Sequence, residues 1–391
     1  MNLLIVHNFY KSNNIGGEDL VVQAENKYLG LNQGLSNIHL FSVYNDRSNI
    51  IRMILAPIFP VITLLKLYFT IKKKNINVVH IHNYFPLISP FSFWIVKLSG
   101  VKLVHTLHNY RPWCLAGTFY RNNHGPCHKC IEKSPLSGVI HKCYKNSFKM
   151  SLYMTFLFMV YRKIGLFKLP DKIFILSNFQ KKIVQSLNFF HQTLEIRQNI
   201  LPGLVDDKYK NFNDKQHKAG YLFIGRIEES KGIEIVLNEW MKLPRNIHLT
   251  VIGNGPLLNQ LRKSYNYSNI TFLGKVEPMK VEKYIRESRF LIQSSIWYET
   301  MGLTIFEAFE NKTPVIGFNI GTRLDFINHN KNGFLCNKFE LSDRILKCEL
   351  IEDKIYNDMC NHAYLSFRKY TDILDENLKK CYKFSEKAQN I

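Results

Sequence analysis

The sequence predicts an α/β protein of two doubly wound, parallel-sheet domains facing a cleft, and three observations carry that expectation. The chain is 391 residues long, and a domain takes about 100–200 residues, so two domains fit. Short β-branched apolar runs alternate with amphipathic stretches of helical length, which is the pattern of parallel βαβ units. The rhythm pauses near residue 200 and then restarts. Hydrophobic residues make up 46% and aromatics 13%. That supplies a core for each half and excludes a disordered chain or a coiled coil.

The first strand is read at Leu3–His7. The chain opens directly on this run with no basic leader, and its eight cysteines sit in a long chain, so a cytoplasmic compartment is expected rather than a secreted disulfide scaffold. Asn13-Asn14-Ile15-Gly16-Gly17-Glu18 follows, between strand and helix. Its paired glycines would let a ligand approach the backbone, and the helix start favours an anion. A plain βα turn fits the same residues. Further strands are expected at Ile38–Val43, Val78–Ile81, Lys102–Leu107 and Lys172–Leu176. His80 and His82 are read as lying on opposite faces of their strand, so that at most one reaches the cleft.

Two apolar segments interrupt this pattern. Met53–Ile71 is bounded by Arg52 and by Lys72, Lys73 and Lys74, and it contains Pro57, Pro60 and Lys66. A membrane span, a surface-lying helix and a core helix all remain open for it. Ser151–Phe167 is apolar on nearly every face and includes Arg162 and Lys163. Together they make a membrane-facing N-terminal half plausible.

Between them lies an insert over 109–145 with Cys114, Cys127, Cys130 and Cys143. Four thiols around a C-x-x-C turn suggest a structural tetrahedral zinc site in a reducing compartment. A redox pair, or unpaired packing cysteines, would explain them too. Cys336, Cys348, Cys360 and Cys381 are scattered and read as structural.

Polar residues Asp206–Lys218 look like a linker, giving domains of 1–200 and 201–391. The second set of strands is expected at Tyr221–Ile224, His248–Ile252, Thr271–Leu273, Phe290–Gln293 and Pro314–Gly317, and a closing helix from about 352. Ligands of open α/β sheets bind at the carboxyl ends of strands. Arg226 and Lys231 flank the loop after the first of these strands, where both could converge on a diphosphate; two solvated cations are the alternative. Gly253-Asn254-Gly255 lacks the third glycine of a dinucleotide fingerprint and is as readily a tight turn. Glu299 and Glu307 would lie about 80° apart on one continuous helix. With Glu299 in the loop before the helix, both can line one pocket, Glu307 accepting from a ribose diol and the helix start at Gly302 and Leu303 holding a phosphate.

Lysine plus arginine exceeds aspartate plus glutamate by 52 − 31 = 21, and the pI is near 9.5, so an anionic partner is expected. The basic residues are dispersed and no recognition module is present, which argues against nucleic acid.

Taken in order, these motifs resemble the family 4 retaining glycosyltransferases of GT-B fold. The resemblance runs through Gly16-Gly17-Glu18, Val78-Val79-His80-Ile81-His82-Asn83, Thr106-Leu107-His108, Ile224-Gly225-Arg226 with Lys231-Gly232, Ile252-Gly253-Asn254-Gly255-Pro256, Phe272-Leu273-Gly274, and Glu299 followed by Glu307 and Lys312-Thr313-Pro314-Val315-Ile316-Gly317. It implies transfer of a sugar from a nucleotide diphosphate sugar (UDP- or GDP-linked) to a growing, lipid-linked surface glycan, at the inner face of the cytoplasmic membrane. It further implies that Arg226 and Lys231 grip the diphosphate with Gly302 and Leu303, and that Glu307 holds the ribose. Glu299 and His108 would flank the donor sugar, Gly16 and Gly17 would approach the donor, and the backbone at Lys275 and Val276 would meet the base. His82 would lie in or near the acceptor region. No catalytic metal is expected, and the cysteine insert would shape acceptor recognition. Thr300-Met301 and Gly321-Thr322 depart from the family's usual Gly-Phe and Gly-Gly, which leaves the sugar open.

Overall fold

The computed structural model describes residues 1–10, 16–31, 37–187, 193–205 and 218–382. It comprises two compact units, each built on one six-stranded parallel sheet. The first contains residues 1–118, 128–209 and those from Ile373 onward; the second contains 119–127 and 210–372.

In the first unit the strands are β1 (Asn2–Phe9), β2 (Asn37–Tyr44), β3 (Val78–Asn83) and β4 (Lys102–Thr106). The insert then supplies a short antiparallel pair, β5 (Tyr120–Arg121) and β6 (Gly125–Pro126), which belongs to the second unit. Strands β7 (Lys172–Ile175) and β8 (Thr193–Ile196) complete the first sheet in the order β2-β1-β3-β4-β7-β8. Leu3, Leu4, Ile5 and Val6 of β1 are all fully buried, because helices cover both faces of a parallel sheet. One face packs Leu4, Val79, Ile81 and Leu103 against Phe93 and Phe158.

The second sheet follows β9 (Tyr221–Ile224), β10 (Leu249–Ile252), β11 (Ile270–Gly274), β12 (Phe290–Gln293), β13 (Val315–Phe318) and β14 (Gly333–Cys336), in the order β11-β10-β9-β12-β13-β14. Its core centres on Phe223, Val251 and Phe290, with Trp240 fully buried among them and its indole N–H donating to the Ile247 carbonyl at 3.1 Å.

Several expectations change. The sequence reading omits β8 and β14, two short strands at sheet edges. Met53–Ile71 is not one helix. Asn49 caps a helix at Ile50–Leu55, the chain turns at 56–60 around Pro57 and Pro60, and a second helix runs Val61–Lys73. Each proline lacks an amide hydrogen, so neither can continue a helical ladder. Ser151–Phe167 becomes the helix Phe148–Lys163, capped by Ser147. Among the described residues no helix is long and apolar enough to cross a membrane. His80 and His82 lie on the same face of β3, with ring centroids 4.0 Å apart; residues two apart on a strand share a face. The expected linker, Asp206–Lys218, lies outside the described residues except for Lys218. The closing helix spans Asp353–Cys381, and its last part groups with the first unit rather than with the second.

Candidate functional site

In each sheet the strand order reverses once: between β1 and β3, and between β9 and β12. Crevices open at the carboxyl ends of strands at such points, and the candidate residues gather there.

In the second unit, Lys231 sits in the loop after β9. Its Nζ lies 2.6 Å from Glu299 Oε1 and 5.1 Å from the centre of the Trp297 ring. This loop is pressed against the end of β12. Gly232 has φ +70°, and a Cβ there would fall 2.1 Å from the Ser294 carbonyl oxygen, so no other residue fits without moving backbone. Glu299 occupies the loop ahead of the helix Leu303–Glu310. It also accepts from Ser295 Oγ at 2.5 Å and from Gln293 Nε2 at 3.3 Å. Burial works to raise the Glu299 carboxyl, but Lys231, Arg323 and the hydrogen bonds from Lys231 and Ser295 outweigh it and hold it down at about 2. Arg323 is fully buried and donates to the carbonyls of Ser295 at 2.6 Å and Phe318 at 2.9 Å. Burial lowers its pKa to about 10, against the pull of Glu299.

Gly302 begins the helix with φ +80°. At this start the Ile305 amide donates back to the Gly302 carbonyl at 3.0 Å, while the amides of Leu303 and Thr304 have no carbonyl one turn earlier in the helix and point where an anion would sit. Glu307 lies farther along the same helix, half-buried, and burial pushes its carboxyl up to about 7. Arg226 does not join this group: it is largely exposed, and its Nε pairs with Glu228 Oε2 at 2.8 Å. Val276 is half-buried in the turn after β11, next to exposed Lys275. The Gly253-Asn254-Gly255 turn serves packing. A Cβ on Gly253 would lie 1.8 Å from the Gly225 carbonyl oxygen, and Ile227 donates its amide to Asn254 at 3.0 Å.

In the first unit, Gly17 opens the helix Gly17–Leu31; Asn13, Asn14 and Ile15 lie outside the described residues. The amide of Gly16 donates to Asp19 Oδ2 at 3.2 Å, and Asp19 Oδ1 lies 2.8 Å from His7 Nε2. The same helix carries Glu25, fully buried and held by Arg197 through two bonds of 2.7 and 3.1 Å. Tyr382 Oη donates to Glu25 Oε1 at 3.0 Å and lies 2.9 Å from His80 Nδ1, while His80 Nε2 meets Thr106 Oγ1 at 2.7 Å. His82 Nε2, which makes no hydrogen bond, is 3.6 Å from Glu25 Oε2. On its other side, His82 Nδ1 is 2.8 Å from His108 Nε2. His108 follows β4 and, with His82, Asn109 and Arg111, lines a small crevice. His82 is therefore buried behind His108. Glu25, His80 and His82 are the one group of ligand-type atoms that meet within 4.8 Å among the described residues, but Arg197 already occupies the carboxylate, which opposes a cation there.

None of the four insert cysteines is in a disulfide; Cys114 is buried and the others are half-buried. Among the described residues the sulfurs of Cys114, Cys130 and Cys143, the three in the first unit, do not all lie within 4.8 Å of one another.

Sequence reasoning missed Arg323, Glu25, Arg197 and Tyr382. Only Arg323 left a trace, directly after Gly321-Thr322; the others are brought together from distant parts of the chain.

Residues 205–365 match the family glycosyl transferases group 1. An uncharacterized glycosyltransferase of Methanocaldococcus jannaschii is 29% identical over 118 residues, covering 29% of this chain and 30% of that one. The O-antigen biosynthesis glycosyltransferase WbnH of Escherichia coli is 26% identical over 217 residues, covering 55% and 59%. The chain thus spans less than two thirds of either relative. Among solved structures, HepE of Anabaena in complex with UDP superposes with a TM-score of 0.62 at 12% identity, covering 97% of this chain and 99% of that one, a likeness of fold. Residues 205–365, which carry Lys231, Glu299 and Glu307, are thus similar to the group 1 glycosyl transferases, and the chain as a whole has the GT-B fold.

Proposed function

We propose that this protein transfers a sugar, with retention, from a nucleoside diphosphate sugar to a growing bacterial surface glycan, lipid-linked at the inner face of the cytoplasmic membrane. The observation that carries the reading is the Lys231–Glu299 pair, set beside the start of the helix that bears Glu307. Lys231 and the first-turn amides from Leu303 supply fixed positive charge where a departing diphosphate would develop its negative charge, which is the arrangement that lowers such a barrier most. Glu307 would accept from the ribose hydroxyls. Arg226, now turned to Glu228, would swing to the outer phosphate. Glu299 would stand beside the donor sugar while orienting Lys231, and His108 would hydrogen-bond a sugar hydroxyl.

In this reaction the bond between the anomeric carbon and the phosphate oxygen breaks, with its electron pair leaving on the diphosphate. The acceptor hydroxyl bonds to that carbon on the same face, and its proton passes to the departing phosphate oxygen. Fixed cations and amides serve throughout, so the reading calls for no divalent metal. HepE with UDP bound and WbnH in O-antigen biosynthesis support the donor and product classes.

The first experiment is a thermal-shift panel of UDP, GDP and ADP on the wild type and on Glu307→Ala. A nucleotide at a hundred times its dissociation constant stabilises by about 2.7 kcal/mol. One nucleotide shifting the wild type and not the variant is expected. No shift with any of the three, from folded protein, overturns the reading.

A further inference from the structure

Three helices of the first unit, Val61–Lys73, Phe91–Leu98 and Phe148–Lys163, pack on one face of its sheet. Their inner stripes, including Leu67 and Ile71, Phe93 and Val96, and Met154 and Phe158, enter a single core with residues of β1, β3 and β4. An amphipathic helix normally turns polar residues outward from such a core. These helices carry a second apolar stripe on their backs. In Val61–Lys73, Ile62, Leu65 and Phe69 are 68%, 51% and 63% exposed. In Phe148–Lys163, Phe148, Leu152, Phe156 and Met159 are exposed at steps of four, four and three, which keeps them on one side. Trp94 and Leu98 are exposed on the middle helix.

The turn at 56–60 joins the stripes. Ile58 and Phe59 are exposed there, and the Phe59 ring meets Phe91 at 4.9 Å. The hydroxyls of Tyr153 and Tyr161 donate to the carbonyls of Ile54 and Pro57, tying the long helix to this turn. The result is one continuous apolar face, of a kind that proteins rarely leave to water without a partner.

Charge selects the partner. Between Asp46 and Asp171 the chain holds one acidic residue, Glu132, against eighteen lysines and arginines. Lys66, Lys72, Lys73, Lys149 and Lys163 are exposed on the same helices as the apolar stripes. A second copy of this chain would set these cations against one another. A surface of apolar chains beneath negative phosphates complements both features at once.

We propose that this face lies on an anionic lipid bilayer, with Ile62, Leu65, Phe69, Leu152 and Phe156 entering the boundary between headgroups and acyl chains and the lysines around them binding lipid phosphates. The inference rests on the membrane part of the reading above and not on its nucleotide chemistry. The proline turn keeps both arms of the 50–73 segment short, so that they lie along the surface.

Flotation of the full chain with vesicles tests this. Vesicles of phosphatidylglycerol and phosphatidylethanolamine are expected to carry the protein at low salt, less at high salt, and vesicles of phosphatidylcholine alone are not. The triple variant Ile62→Gln, Phe69→Gln, Phe156→Gln is expected to lower partition at least tenfold with its melting temperature and nucleotide-induced shift unchanged, since all three side chains are more than 60% exposed. No flotation at low salt overturns the proposal, as does a triple variant that floats like the wild type. It is also overturned if light scattering finds a lipid-free dimer that the triple variant turns into a monomer. Flotation without a nucleotide shift leaves the docking standing and removes the donor reading; a shift without flotation removes the docking alone.

Discussion

His82 Nδ1 and His108 Nε2 lie 2.8 Å apart, and the two rings stack with centroids 5.1 Å apart. One nitrogen donates and the other accepts, so the pair is held neutral. Burial drives His82 down to about 3, and burial together with His82 and His7 holds His108 well below its ordinary value. The pH profile of kcat at saturating donor, where Glu307 is already engaged, is therefore expected to lack a histidine step near 6.5. Replacing His82 with leucine is expected to cut turnover about ten- to a hundredfold by unpinning the His108 ring, with nucleotide affinity retained. A histidine limb near neutrality in the wild-type profile would contradict this.

Glu25 is ionised at the centre of a closed network. Burial raises its carboxyl, but Arg197, then His82 and His80, outweigh that and hold it well below 4.5. A depressed carboxylate contributes stability that is fully present above the unfolded value and is lost as pH falls below it. Glu25→Gln is expected to cost about 3–5 kcal/mol at pH 7, because it leaves the Arg197 charge buried and unpaired. The deficit should shrink by about 1.4 kcal/mol per pH unit below about 4.5. Urea melts at pH 7 and pH 3.5 check this; an equal deficit at both would sink it.

Lys231→Met removes the ammonium from Glu299. The pair is only partly screened, with Lys231 24% and Glu299 7% exposed at the side chain, so about 2 kcal/mol of stability is expected to go. Transfer should fall about a hundred- to a thousandfold if Lys231 meets the departing charge. Steady-state rates read beside melts separate the two effects.

Glu307 makes the opposite pH statement. Its folded value of about 7 lies above the ordinary 4.5, through burial, so the neutral form is favoured. Its contribution is fully present below about 4.5 and is lost as pH rises through about 7. Glu307→Gln, always neutral, is expected to melt higher than the wild type at pH 8 and equally at pH 4.5, while binding nucleotide more weakly. A site tuned for ligand at the expense of the empty protein behaves this way; a variant that melts lower at pH 8 would exclude it.

Transfer is expected to survive EDTA. A rate that collapses with chelator and returns with magnesium or manganese would show that Lys231 and the amides of the helix start do not suffice.

The βα rhythm was legible because buried parallel strands read as unbroken apolar runs, and Tyr221–Ile224 and Phe290–Gln293 fall where the sequence put them. The edge strand Thr193–Ile196 escapes that signal, because it has no fully buried residue. Glu299 was legible by its distance from Glu307, and its partner Lys231 by its glycine. Glu25 was not, since Arg197 and Tyr382 stand 172 and 357 positions away, and no spacing rule joins them. The opposite-face reading of His80 and His82 ignored the two-residue period of a strand.

The discontinuous first unit has a consequence for synthesis. Ribosomes release a chain from its N-terminus at about 5–20 residues per second. The second unit, apart from the 119–127 excursion, emerges as one uninterrupted stretch. The first must wait for Tyr382 to reach Glu25 and His80, 382 − 196 = 186 residues after its last strand ends at Ile196, which is about 9–37 s. During that interval a buried glutamate, arginine and histidine lack one member of their network, so the half made first is the half finished last.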